Sequence, residues 1–126
     1  MGITLTTAAR NALANALVDL CDAGSSEANG HLVILSAGDV EVAKLPLSNP
    51  AFGNSATGVA TAEAITSDTS AAGGTAAKHV FQDRDDTEVW QGNVQTSGGD
   101  LNISSLTIGA GFTVSCSSYT VTQPAS

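Results

Sequence analysis

Two hydrophobic periods run along this chain, and the first is helical. Over residues 6–23, Leu13, Leu17 and Leu20 fall at i, i+4 and i+7 with Ala9 and Ala16 on the same stripe, opposite Arg10, Asn11, Asp19 and Asp22. Thr6 or Thr7 supplies an N-cap and Gly24 a stop. The pattern predicts an amphipathic helix over 6–23, preceded by an arm over 1–5. The leucine stripe of that helix needs a cover, either a sheet of the same chain or a neighbouring copy.

Beyond Gly30 the period shortens to two. HLVILS (31–36) is apolar on both faces, as a central strand is. Residues 40–47 return after a turn at Ala37-Gly38-Asp39. Val40 and Val42 share one face, while Ala43, Leu45 and Leu47 share the other, so the phase slips and predicts a bulge. Pro46 has no N–H to donate and places this strand at a sheet edge. Residues 48–57 and 66–74 read as loops, and 59–65 alternate with alanines on one face. Residues 75–83 and 87–94 flank Arg84-Asp85-Asp86 as a hairpin, with His79 and Phe81 on one strand and Trp90 and Val94 on the other. Two further strands are predicted over 101–108 and 111–121, the last with a bulge near Ser117-Ser118. The expected fold is mainly β: a single-domain antiparallel β-sandwich or jelly-roll-like barrel, with about seven strands over 31–123 and one N-terminal α-helix packed on it.

Composition sharpens the question of what covers the helix. Leu, Ile, Val and Phe make up 28 of the 126 residues, only slightly above the ~20% level typical of disordered chains. Such a chain gains burial by associating with copies of itself or with a larger surface. Four Lys and Arg stand against twelve Asp and Glu, a formal charge of −8. Phosphate binding rests on Lys and Arg, so neither nucleic acid nor an anionic membrane is an expected partner. The first 25 residues lack a basic region followed by an apolar run, and no stretch has the length of a membrane span, so secretion and membrane insertion are not expected. MGITLT matches a myristoylation pattern through Gly2 and Thr6, a match read as chance because Thr6 has a capping role. Cys21 and Cys116 lack metal-ligand spacing and are expected as buried thiols in preference to a disulfide.

Candidate chemistry is sparse. Asp83, Asp85, Asp86 and Glu88 are the densest carboxylates, but Glu88 occupies the glycine position of a calcium loop, so a solvated hairpin tip is expected. His31 and His79 both fall inside predicted strands, and no G-x-S-x-G turn accompanies them, which assigns them structural roles. The glycine pairs mark turns, with no nucleotide-binding loop. No catalytic residue, metal or cofactor is expected.

The runs LPLSNPAFG (45–53), GVATAEAITSDTS (58–70), WQGNV (90–94) and GGDLNI (98–103), with TTAARNALANALVDLCDAG at the start and VTQPAS at the end, resemble a family of small virion proteins of tailed bacteriophages. The resemblance spans nearly the whole chain and rests on turns and alternating small residues. It implies a head decoration, or cement, protein: a small β-rich module, often trimeric, bound to the outer surface of the expanded capsid where major capsid protein subunits meet. On that basis the expected location is the virion exterior, after synthesis in the host bacterial cytoplasm. The expected partners are the major capsid protein and further copies of the chain. Expected contact residues are Met1, Ile3 and Leu5 in the arm, Phe52 in the first long loop, and Thr66, Ser67, Asp68 and Thr69 in the second. A tail or neck structural protein is the alternative, and a carbohydrate-binding sandwich using Trp90, Tyr119 or Phe52 as stacking platforms is a third possibility.

Overall fold

The computed structural model describes residues 3–125 and shows a mainly β domain with one N-terminal helix. Helix α1 (Thr7–Asp19) begins where Thr6 Oγ1 accepts the Ala9 N–H at 3.1 Å. It tightens into a 3-10 turn at Leu20–Asp22, and Gly24 follows at φ +108°, the left-handed region that glycine enters without strain.

Nine short strands form among the described residues: β1 (His31–Leu35), β2 (Glu41–Pro46), β3 (Val59–Thr61), β4 (Gly74–Thr75), β5 (Lys78–Gln82), β6 (Glu88–Gln95), β7 (Leu101–Asn102), β8 (Thr107–Ile108) and β9 (Thr120–Thr122). Five make a curled sheet in the order β2-β1-β5-β6-β7, and β3–β9 and β4–β8 form two smaller pairs. Directly opposed residues of antiparallel strands share a face. One core row therefore runs Leu45, Leu32, Phe81, Trp90, and the next runs Ala43, Ile34, His79, Gly92. Gly92 is required in its row, because a Cβ there would stand 2.8 Å from both His79 Cε1 and Asp100 Oδ2.

Strand β1 is central, as its two apolar faces predict, with Leu32, Val33 and Ile34 all buried. Strand β2 lies at the edge and carries its bulge at Val42: Ile34 pairs with Ala43 and Leu35 with Glu41, so Val42 and Ala43 are both buried. The edge is covered by the segment after Ile65. Thr66 N–H donates to Pro46 O (2.9 Å), Gly73 N–H to Val42 O (3.1 Å), and Lys44 N–H to Asp68 Oδ2 (2.9 Å).

Three expectations are corrected. The sheet is mixed, because β7 runs parallel to β6; only two residue pairs are in register, so the short loop 96–100 suffices where a longer crossover is usual. Asn93 and Asp100 clamp that loop by exchanging side-chain to backbone hydrogen bonds at 2.7 and 3.1 Å. The strands expected over 101–108 and 111–121 are instead short pieces joined by irregular chain, where Ser105 Oγ bonds locally to Thr107 and so competes with a ladder. The third correction concerns the helix. Its buried residues are Ala14, Val18 and Cys21, while Leu13, Leu17 and Leu20 are 48%, 36% and 51% exposed.

Candidate functional site

The helix is inverted because its polar residues have work to do on the inside. Asn11 Oδ1 accepts the Gly58 N–H and Asn15 Oδ1 the Ser55 N–H, both at 2.8 Å. Arg10 Nε–H donates to Gln123 O (2.9 Å), and Asp22 Oδ1 accepts the Ala51 N–H (2.9 Å). These are backbone groups of loop 48–58 and of the chain after β9, which would otherwise lack partners against the helix. Ala14, Val18 and Cys21, spaced i, i+4 and i+7, fill the apolar part of the same contact. Burial pushes the Cys21 thiol up to about 12, with Asp22, Asp83 and Asp19 adding to it. Cys21 and Cys116 are both buried free thiols.

The outward face left by this arrangement is Ala12, Leu13, Ala16, Leu17 and Leu20, with Asp19 as its flanking charge. On a chain of charge −8, an apolar stripe nearly free of charge is the surface feature that most requires explanation. It is the candidate site.

The contact residues expected from the sequence are dispersed. Ile3 is 57% exposed, and Leu5 is half-buried with its N–H donating to Ala125 O (2.7 Å), so the arm lies along the chain's own C-terminal end; Met1 is outside the described residues. Phe52 is 4% exposed, with its ring centroid 5.8 Å from that of Phe81 and 5.9 Å from Trp90. It anchors its loop in the core and does not present a ring to a partner. Ser67 and Asp68 are half-buried, tied to Ser115 and to the backbone of Val114 and Lys44, while Thr66 and Thr69 are exposed. Tyr119 is buried as well and Trp90 packs partly buried against the core, so none of the three is an exposed stacking platform. The exposed aromatic is Phe112, beside an open groove of about 500 Å³ lined largely by Ser and Thr from 102–117.

The two histidines differ. His79 is fully buried and fully bonded: Nδ1 is 3.0 Å from Asn93 O and Nε2 is 2.8 Å from Tyr119 Oη. A carbonyl only accepts, so Nδ1 carries the proton and Nε2 accepts the Tyr119 O–H, whose oxygen in turn faces the Trp90 indole N–H at 3.3 Å. Burial lowers the His79 pKa, outweighing the bond to Asn93. His31 is lowered as well, by burial and then by Lys44. A histidine whose folded-state pKa is depressed gives stability that is complete above the unfolded value, near 6.5, and is lost as pH falls from there through the folded value. The urea midpoint is therefore expected to fall between pH 7 and 5 from a plateau near pH 7.5, and to fall again towards pH 9 and above, where the thiols of the unfolded chain ionise while burial holds Cys21 and Cys116 neutral in the fold. His79→Phe should reduce the acid-side slope, and an unchanged slope there would remove His79 from the account.

His31 has beside it Glu27, four residues earlier, and Asp86, which sequence distance concealed. Glu27, His31 and Asp86 bring one ligating atom each within 4.8 Å of one another, a grouping able to hold a metal ion. Two other tip carboxylates are engaged in structure: Asp83 Oδ1 accepts the Asp85 and Thr87 N–H groups, and Asp85 Oδ1 accepts those of Ser25 and Ser26.

No protein-family model matches the chain, and no curated protein or solved structure gives a significant match.

Proposed function

We propose that this protein is a virion structural protein of a tailed bacteriophage, a head decoration protein that binds the outer capsid surface as a homo-oligomer, with a trimer favoured. The observation that carries the proposal is the exposed stripe of Leu13, Leu17 and Leu20, an apolar face left uncovered by its own chain. Its occupant is a second copy. The i, i+4, i+7 spacing suits helix-to-helix packing, and Ala12 and Ala16 let two backbones approach. Copies that each carry −8 associate best where charge is nearly absent. An assembled clamp across subunit boundaries then adds burial that must be lost before the shell opens, as a ligand stabilises the state it binds. The phage assignment itself rests on the sequence resemblance.

The sandwich expected from the sequence belongs to this proposal. Ala60 of β3 and Ile108 of β8 share a core with Leu32 and Phe81 of the large sheet, which supports the two small pairs as a second layer.

Co-sedimentation with isolated expanded heads, and separately with tails, tests the function. Saturable binding to heads alone is the expected result. Binding only to tails would reassign the protein to the tail or neck, and binding to neither would overturn a virion role.

A further inference from the structure

We propose that Glu27, His31 and Asp86 form a binding site for a zinc-type divalent ion that clasps loop 24–30 to the tip of the β5–β6 hairpin. The inference is independent of the decoration role. Its first support is a pair of orphaned atoms. Among the described residues, Glu27 Oε2 and His31 Nδ1 are both buried without a well-formed hydrogen bond, and they stand 3.3 Å apart as an ion-pair contact. Buried polar atoms are almost always paired, and two atoms of ligating type at this separation suit a cation between them.

The spacing is the second support. In a tetrahedral site with nitrogen and oxygen ligands at about 2.0–2.1 Å, neighbouring ligand atoms stand about 3.3 Å apart. The Glu27–His31 distance already has that value, and Asp86 Oδ1, at 4.0 Å from His31 Nδ1, needs to close by well under 1 Å. Asp86 is half exposed, which leaves a fourth position for water. An imidazole nitrogen beside two carboxylates selects a zinc-type ion over calcium or magnesium, which prefer oxygen alone.

The ligands are held before any ion arrives. His31 opens β1 and is paired with Gln82. Glu27 N–H donates to Arg84 O (3.0 Å) and Arg84 Nε–H returns a bond to Glu27 O (2.8 Å), fixing the loop against the tip that carries Asp86. A competitor is also in place. Lys44 Nζ lies 3.4 Å from Asp86 Oδ1 and supplies positive charge there, and its partly exposed side chain can swing away when an ion enters.

Lys44 makes the test sharp. Zinc added to the intact protein should bind at one equivalent in calorimetry and raise the thermal unfolding midpoint. Cobalt should give the visible spectrum of a four-coordinate nitrogen and oxygen site without thiolate charge transfer. His31→Ala and Glu27→Gln should each weaken binding at least about tenfold, and Glu27→Gln, at a half-exposed loop position, serves if the histidine variant does not fold. Lys44→Met should tighten binding several-fold, because it removes the competing cation. A simple ion-pair cluster would behave otherwise, with Lys44→Met leaving zinc affinity unchanged. No saturable binding below millimolar zinc, or binding that survives both ligand substitutions, would overturn the site.

Discussion

Phe81→Ala is expected to destabilise the fold by about 3–5 kcal/mol, the cost of removing a fully buried aromatic ring and leaving its cavity. Phe81 has no exposed surface and sits where the aromatic side chains converge. Its ring stacks on Trp90 at 4.5 Å, meets Tyr119 at 4.6 Å, and has Phe52 and His79 each at 5.8 Å. Those neighbours come from β6, β5, the 48–58 loop and the chain leading into β9, so one ring joins the large sheet to the C-terminal end. Domains of this size have about 5–15 kcal/mol of stability in total, and the variant should lose a fifth or more of it. Urea unfolding followed by the fluorescence of Trp90, the single tryptophan, reads the change at the site itself. Val40→Ala, at a position 65% exposed, should stay within about 0.5 kcal/mol. A loss below about 1.5 kcal/mol for Phe81→Ala would mean that the cluster closes over the gap and that stability is centred elsewhere.

What could be read from the sequence was what local chemistry decides. The edge position of β2 follows from Pro46, the bulge from the slip between Val42 and Ala43, and the hairpin from the Asp-rich turn between two alternating runs. The central position of β1 was legible because no residue from Leu32 to Ile34 tolerates water on either face. The C-terminal third was not legible in the same way. Its apolar positions alternate well enough, but Ser, Thr, Asn and Gly satisfy their backbone locally and leave only short strands. The helix misled for a deeper reason. Hydrophobic periodicity measures which face is apolar, and it takes no account of backbone N–H groups elsewhere that need Asn11, Asn15 and Asp22 as acceptors. Orientation was decided by those hydrogen bonds, which join residues about 30 to 50 positions apart. The Glu27, His31 and Asp86 cluster was hidden similarly. Glu27 and His31 at i, i+4 carried a signal, but nothing local ties Asp86 to them.

The same inversion makes the second large prediction. A double substitution of Leu13 and Leu17 by Glu should leave the isolated domain folded at a cost of about 1–3 kcal/mol, because the two side chains are only partly buried and Glu is a good helix former. It should nevertheless abolish self-association. Full burial of a leucine contributes about 1.5–3 kcal/mol, so covering the exposed part of each of these side chains contributes about 1 kcal/mol per residue per copy. Two residues on each of two facing helices then amount to about 4 kcal/mol, a dissociation constant raised by about three orders of magnitude at 1.4 kcal/mol per tenfold. The introduced carboxylates repel across the interface and strengthen the effect. Sedimentation equilibrium gives the association state, circular dichroism confirms the helix, and head occupancy reports the biological consequence. Leu13→Ala with Leu17→Ala should fall between, since alanine removes area without adding charge. The proposed pairing predicts this ordering of three proteins. A wild-type chain that stays monomeric at about 100 µM, well above the ~1 µM dissociation constant of a modest 8 kcal/mol association, would show that the leucine face is not covered by a second copy. If the glutamate variant assembled like the wild type, the subunits would have to meet through another surface.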